Sequence, residues 1–440
     1  MKKLIVLVIA IMLAAVMPVN ANSPVSFFSG ETDNIDRNPA MLSLTDYDFA
    51  LQLNPLYGGA YNNAWTFNQV FENMNEYLDD SRKRDILGSI SDNGFGIGAE
   101  LNSGLAFGRN DWGLRTGLKS YAAASIDKEV FEYILEGMAT DAEPSIDLRL
   151  DNTRFNARAV VDTGYARGFA YEDIAEQIGS EQLDEMLTDW ESFYVGFGVH
   201  HLLGLANVEG GLTGNANFEF TNETSIEVDG RMQFDYTTPA DDGLGQGLAM
   251  DFGFWGSPNS DWEVGFAVNN FGFVRWPSAT RYSYEEEINV KLESADQLED
   301  GYIFVDSDRN EIDDFDSLIE SDEVTEERIG SYMTASPVTI QADAVYDAHP
   351  NIDLGGSVGF HQAPRNNLSL AFASKFTYPE FMPVTLGITY DTFRRNISLP
   401  FRIGFRTEHW DILNLYVSDL RMIPAHGRGL TVGFSSGFRF

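Results

Sequence analysis

Residues Arg428 to Phe440 run RGLTVGFSSGFRF, and their alternation constrains the fold more than any other stretch. Leu430, Val432, Phe434, Phe438 and Phe440 fall on one face of an extended segment, interrupted only by Ser436. Thr431, Gly433, Ser435, Gly437 and Arg439 fall on the other. Successive side chains of a strand point to opposite faces, so one side here is apolar and the other small and polar. A chain terminus in water frays and gains nothing from such a strand, whereas the last strand of a closed membrane barrel pairs with the first. The expectation is a closing stave that pairs with a strand near Phe49.

The same alternation recurs upstream. In Phe95 to Arg109, Phe95, Ile97, Ala99, Leu101, Leu105 and Phe107 share one face; Gly96, Gly98, Glu100, Asn102, Gly104 and Gly108 share the other. Asn110-Asp111 suits a short hairpin turn, and Trp112 to Ile126 returns. Such runs exceed the roughly five or six residues of soluble strands and fit the roughly ten that cross a bilayer at a tilt. Further strands are expected at 48–55, 154–168, 192–203, 206–220, 225–236, 248–254 and 262–268. After a weak region, the pattern returns at 338–346, 352–360, 368–376, 384–390, 399–407 and 412–417, for about sixteen strands in all. The predicted fold is all-β, a transmembrane antiparallel barrel of about 14–16 strands with short helices in its loops and an N-terminal plug-like segment. A soluble periplasmic β-rich protein is disfavoured by strand length.

Loop lengths follow a rhythm. Connections at 110–111, 221–223, 257–260, 348–351 and 408–409 are brief, and those at 57–94, 127–153 and 272–335 are long. Short turns on one rim and long loops on the other is the plan of outer-membrane barrels. Two connections break it: the link at Gly204 is too short for an outer loop, and 168–191 is too long for a periplasmic turn. Phe67, Val70, Phe71, Met74, Tyr77 and Leu78 have helical spacing, as do Ile174, Ile178, Leu183, Met186 and Leu187. Both helices suit either a hydrophobic path or plain packing on the barrel.

Met1-Lys2-Lys3, an apolar run from Leu4 to Met17 and a small residue at Ala21 are the parts of a secretory signal peptide, cleaved after Ala21. The run is shorter than the roughly 20 apolar residues of a spanning helix. The expected organisation is therefore residues 1–21 as signal peptide, 22–47 as an N-terminal segment that plugs the barrel, and 48–440 as the barrel, with an acidic loop at about 293–327. The expected location is the outer membrane. With 40 Gly, 32 Phe, 18 Tyr and no Cys, stability must come from strand pairing and closure rather than disulfides. A formal charge of -38 excludes nucleic acid and anionic headgroups as partners of the surface at large.

Arg37-Asn38-Pro39-Ala40-Met41-Leu42, just before the first strand, resembles the Asn-Pro-Ala segment of FadL-like and PorV-like barrels. Asp92-Asn93-Gly94 and Ile134-Leu135-Glu136-Gly137 follow in the order seen there. The segment from Val199 to Val208 (VHHLLGLANV) resembles one shared by a family of such barrels with its own domain-of-unknown-function label. The resemblance implies a barrel of about fourteen strands with the N-terminal segment folded into or beneath the lumen. FadL-like members move hydrophobic molecules inward, and PorV-like members handle cargo of a protein-secretion system. The expected role is thus uptake or handling of hydrophobic small molecules. The alternative is a non-transport scaffold or cargo-binding partner of surface or secretion machinery. By similarity to other outer-membrane proteins, Phe440 would be read by the barrel-assembly machinery. The other expected partners are the lipid bilayer and a hydrophobic ligand.

No catalytic set can be assembled, and the chain is read as a non-enzyme. His200-His201 is the one histidine pair, and neighbours on a strand point to opposite faces, one lumenal and one interfacial. Asp306, Asp308, Asn310 and Asp314, with the Ile312 carbonyl, have the spacing of a calcium loop. Against that, Glu311 stands where the turn wants Gly, and Ser317 where a bidentate Glu belongs. Calcium is the one cofactor this pattern suggests, beside the plainer reading of a solvated acidic loop. The expected interior faces carry Arg115, Lys119, Arg158, Asp162, Asp251, Glu263, Asp343, Lys375, Arg402 and Arg406, charges of both signs that suit salt-bridged packing. No ligand-binding residue is named by the sequence.

Overall fold

The computed structural model describes residues 34–45, 47–69, 80–136, 145–149, 153–178, 185, 187–222, 225–239, 243–292, 325–362, 366–423 and 426–440. In chain order the strands begin with β1 (Ala50–Asn62), β2 (Phe95–Arg109), β3 (Trp112–Ile126), β4 (Ser145–Arg149), β5 (Thr153–Ala170), β6 (Ser192–Asn222) and β7 (Ser225–Pro239). There follow β8 (Gly245–Asn259), β9 (Trp262–Trp276), β10 (Ala279–Leu292), β11 (Thr325–Ile329), β12 (Tyr332–Ala335) and β13 (Thr339–His349). The series ends with β14 (Ile352–His361), β15 (Asn367–Phe376), β16 (Val384–Asp391), β17 (Asn396–Ser398), β18 (Phe401–Arg406), β19 (Trp410–Val417) and β20 (Gly429–Arg439).

Fourteen staves close an antiparallel barrel. Neighbours run β1, β2, β3, β5, β6, β8, β9, β13, β14, β15, β16, β18, β19 and β20, and β20 pairs back to β1. β17 continues the β18 stave beyond Pro400, whose missing N–H interrupts the ladder. At the seam Ala50 faces Arg439 and Tyr61 faces Gly429. Phe440 N donates to Phe49 O at 2.8 Å, and Asp48 N donates to Phe440 O at 2.8 Å. The terminal strand is the closing stave, and its partner continues past Pro55 through a bulge between Asn54 and Tyr57.

The expected count of sixteen falls to fourteen at one place. Residues 192–203 and 206–220 are not two strands joined at Gly204 but the single 31-residue β6. Its first part pairs with β5 and β8 as a stave. From Glu209 onward it pairs with β7, which pairs with β10, which pairs with β11. This extension stands beyond the barrel on the long-loop rim, so 225–236 is not a stave either. Gly204 is no turn: a Cβ there would overlap the ring of Trp276, so it grants close approach instead. The other break in rhythm, 168–191, holds the helix Tyr171–Ile178 on the short-turn rim, where Tyr171 packs against Phe193 with centroids 6.0 Å apart.

The outward faces carry Leu53, Leu105, Phe197, Val199, Met250, Phe252, Phe372, Ile388 and Phe434, all exposed. Toward the short-turn rim, aromatic pairs follow one another around the wall. Phe49 meets Phe107 at 5.1 Å, Phe107 meets Trp112 at 5.3 Å, Trp262 meets Tyr346 at 5.0 Å and Trp410 meets Phe438 at 5.5 Å. A closed ladder with an apolar outer band and an aromatic girdle satisfies its backbone internally and offers its surface to lipid. Among the described residues no helix is long and apolar enough to cross a membrane.

Candidate functional site in the barrel lumen

The segment Asn34 to Leu44 lies against the inner wall. It forms a helical turn, Asn34–Arg37, then a 3-10 helix, Pro39–Leu44, with Asn38 as cap accepting from Ala40 N at 3.1 Å. Pro39 suits the first helical position because its missing N–H would have no intrahelical partner. Four wall positions receive it without side chains. A Cβ at Gly113 would strike Ile35, at Gly168 Ser43, at Gly196 Pro39 and Ala40, and at Gly253 the Asn38 side chain. These glycines come from β3, β5, β6 and β8, so the smooth inner faces form a seat shaped to the segment.

Polar contacts fix the seat. Asn38 Nδ2 donates to Phe254 O at 3.0 Å. Arg37 Nη2 donates to Asp343 Oδ2 at 2.9 Å, and Asn269 Nδ2 donates to Arg37 O at 2.7 Å. Arg37 and the Asp343 side chain are 6% and 1% exposed, so this pair is held where water does little to weaken it.

From Asp36 a chain of charges crosses the wall. Asp36 pairs with Arg115, and Lys119 Nζ lies 3.5 Å from Asp36 Oδ1 and 2.5 Å from Asp162 Oδ2. Asp162 Oδ1 lies 2.8 Å from His200 Nδ1, and Asp251 Oδ2 lies 2.7 Å from His200 Nε2. Asp251 also accepts from Asn270 N at 2.7 Å, where the strand bulges with Asn270 at φ 59. With a carboxylate at each ring nitrogen, the imidazole donates twice and carries the positive charge. Asp36, Asp162 and Asp251 are then balanced by Arg115, Lys119 and His200, and this balance is what lets five ionisable groups of the wall and one of the seated segment lie together.

One carboxylate oxygen each from Asp36 and Asp162 and a nitrogen of His200 lie within 4.8 Å of one another, a spacing that could hold a metal ion. Lys119 already places its ammonium between the two carboxylates, so a cation would have to displace a paired charge. The cluster is held together as a salt-bridge network. Asp306, Asp308, Asn310 and Asp314 lie outside the described residues.

Of the other interior charges named from the sequence, Arg158 donates to Asn207 Oδ1 at 3.0 Å and to Ala335 O at 2.6 Å. Glu263 accepts from Trp255 Nε1 at 3.3 Å, and Lys375 pairs with Asp353 at 3.2 Å. Arg402 lies opposite Thr385, and Arg406 donates to Glu380 O in a rim turn at 2.9 Å. His200 is 1% exposed, whereas His201 is exposed and bonded to Gln246. Asp36 and Asn38 escaped residue-level reading because their partners lie on distant strands. The one sequence sign was the run of small residues on facing strands, which leaves room for something else to fill.

At the opposite mouth the tip between β16 and β17 leans inward. Phe393 packs on Tyr61 at 5.5 Å, and the Arg394 guanidinium lies 4.5 Å over the Tyr61 ring. Beside it Trp65, Phe95 and Phe131 form an aromatic cluster, Trp65 stacking on Phe95 at 4.5 Å, with Leu87 and Ile90 from a loop helix.

Among solved structures, a Pseudomonas aeruginosa FadL homologue is similar at 10% identity, covering 96% of this chain and 98% of that one, with a TM-score of 0.46. The toluene transporter TodX of P. putida is similar at 8% identity over 94% of this chain and 95% of that one, with a TM-score of 0.43. The toluene transporter TbuX of Ralstonia pickettii is similar at 11% identity over 96% and 99%, with a TM-score of 0.26. No curated protein matches. The model of a family of unknown function, DUF5723, matches residues 39–408, from the Pro39 seated in the lumen to the turn before the penultimate strand, and the chain belongs to that family.

Proposed function

We propose that the protein resides in the outer membrane, exported with removal of residues 1–21, and takes up or handles hydrophobic small molecules. Residues 22–47 act as a plug in this reading. The observation that carries it is the division of labour along the lumen. Wall charges on the short-turn side are engaged with segment 34–44, which leaves little for an aqueous solute path. At the outer mouth Trp65, Phe95 and Phe131 instead pack as a largely buried apolar cluster, and Ile423, on the same rim, is 83% exposed. An exposed apolar side chain at the mouth, with the wall charges below it already paired, favours capture of apolar solutes over diffusion of polar ones.

The test is native mass spectrometry of protein extracted from its own membrane, paired with uptake of an apolar fluorophore by cells with and without it. Copurified hydrophobic molecules and faster uptake are expected. Empty protein together with unchanged uptake would sink the reading.

A second reading, a scaffold or cargo-binding partner of surface machinery, is favoured by one feature. The sheet of β6, β7, β10 and β11 projects past the barrel and carries a cavity of about 570 Å³, lined by Glu209, Thr213, Gln233, Tyr236, Arg281 and Glu327. Deleting 225–239 and 279–292 separates the two: uptake survives if the extension serves a partner.

A further inference from the structure

Basic residues are outnumbered in this acidic chain, with 29 Lys and Arg against 67 Asp and Glu. Four arginines, Arg394, Arg395, Arg421 and Arg428, nevertheless meet at one point of the outer mouth. The tip after β16 is tied down by its own backbone: Arg394 N donates to Asp391 Oδ1 and Arg395 N to Asp391 O, each at 2.8 Å. Arg395 occupies the left-handed region at φ 48, a conformation that favours Gly or Asn, and its side chain is exposed. From the loop before β20, Arg428 reaches the same tip, its Nη1 donating to Arg394 O at 2.9 Å and Asn63 O at 3.1 Å. Arg421 Nη1 donates to Asn396 Oδ1 at 3.3 Å.

The charges there do not balance. Arg421 is paired with Asp419, Nη2 to Oδ2 at 2.7 Å, and that carboxylate also accepts from the backbone N–H of Leu399 and Arg421. Arg395 and Arg428 touch no carboxylate among the described residues. Half-burial, then the neighbouring Arg395 and Arg421, press Arg428 below the usual arginine range. With Arg394 and Asp391 of the same tip included, four guanidinium groups less the carboxylates of Asp391 and Asp419 leave two positive charges among the described residues. The lumen network is neutral by comparison, so among the described residues this excess is local to the outer mouth.

We propose that Arg395, Arg421 and Arg428 form a binding site for a phosphate dianion at the outer mouth. Two unspent charges match a dianion, and the planar donor forks of arginine suit phosphate oxygens. The exposed Ile423, two residues from Arg421, offers apolar contact to whatever carries the phosphate. The carrier is either a free phosphate or phosphomonoester, or the headgroup of a phosphorylated lipid at the rim. The site stands whether or not hydrophobic molecules pass through the barrel.

The experiment titrates inorganic phosphate into the full-length protein in neutral detergent by calorimetry. A second arm compares nanodiscs of phosphatidylcholine with and without phosphatidic acid, reading lipid retention by mass spectrometry. Saturable binding in either arm is expected, weakened about tenfold or more by Arg395→Ala and by Arg428→Gln, and by added salt. Arg281→Ala, on the projecting sheet, should leave it unchanged. Binding in the first arm alone identifies free phosphate as sufficient, and retention in the second alone identifies the lipid; each supports the site. Heat-modifiable gel mobility reports that each variant is folded, and Arg395→Ala, at an exposed tip, carries the test if Arg428→Gln fails to assemble. Absence of saturable binding in both arms, or binding equal in wild type and Arg395→Ala, would overturn the proposal.

Discussion

Gly164 and Gly198 explain how His200 comes to lie between two carboxylates. Gly164 faces His200 in the register of β5 and β6, and a Cβ there would overlap the imidazole. Gly198 faces Asp251 across β6 and β8, and its bare face admits the Asp251 side chain. The chain of charges therefore depends on residues that carry none. Its energetics follow from removing one partner at a time. Lys119→Met leaves Asp162, whose side chain is 2% exposed, with a single counter-charge, and breaking such a pair costs about 3–5 kcal/mol. The double change Lys119→Met with Asp162→Leu should recover part of that loss, because no orphaned charge remains. Thermal unfolding in detergent reads both, and equal midpoints for the single and double variants would refute the coupling. Alternation alone told that His200 and His201 point apart, and the interior faces carrying Lys119, Asp162 and Asp251 were legible too. That they form one network was not, because the His200 partners are 38 and 51 residues away and Asp36 comes from outside the barrel wall.

At the scale of elements, the seated segment and β6 depart most from what local sequence dictates. Residues 34–44 have no strand rhythm and too few residues for a stable helix, so their conformation is set by the wall. Gly196→Leu should then expel the segment, since even a Cβ there would overlap Pro39 and Ala40. Limited proteolysis checks this: cleavage within 34–44 is expected in the variant and not in the wild type, with the barrel itself intact. Unchanged protection would contradict the seat. β6 was misread for a definable reason. Gly204 resembles a turn residue, yet it serves to let Trp276 approach, and a strand of 31 residues, about 100 Å at the usual rise, must leave the bilayer and find partners beyond it. Its length was the available clue.

At the scale of the molecule, closure is the main stabilising device, because without it both edge strands would present unpaired backbone to lipid. Phe440 shares hydrogen bonds with both Asp48 and Phe49 and meets Phe438 edge to face, with centroids 5.8 Å apart. Deleting Phe440 should lower the amount of assembled, heat-modifiable barrel in the membrane while export continues. Equal assembly would show that the seam does not need its last residue. The alternation that made the barrel legible is a property every stave shares. The contents of the lumen were not legible, because they depend on which bare glycine faces meet which side chains across the closed wall. Planar-bilayer conductance of the intact protein tests the proposed plugging of the lumen most directly. With the N-terminal segment acting as the proposed plug, no steady open channel is expected from the wild type. A stable, ion-conducting pore in the wild type would contradict the plug.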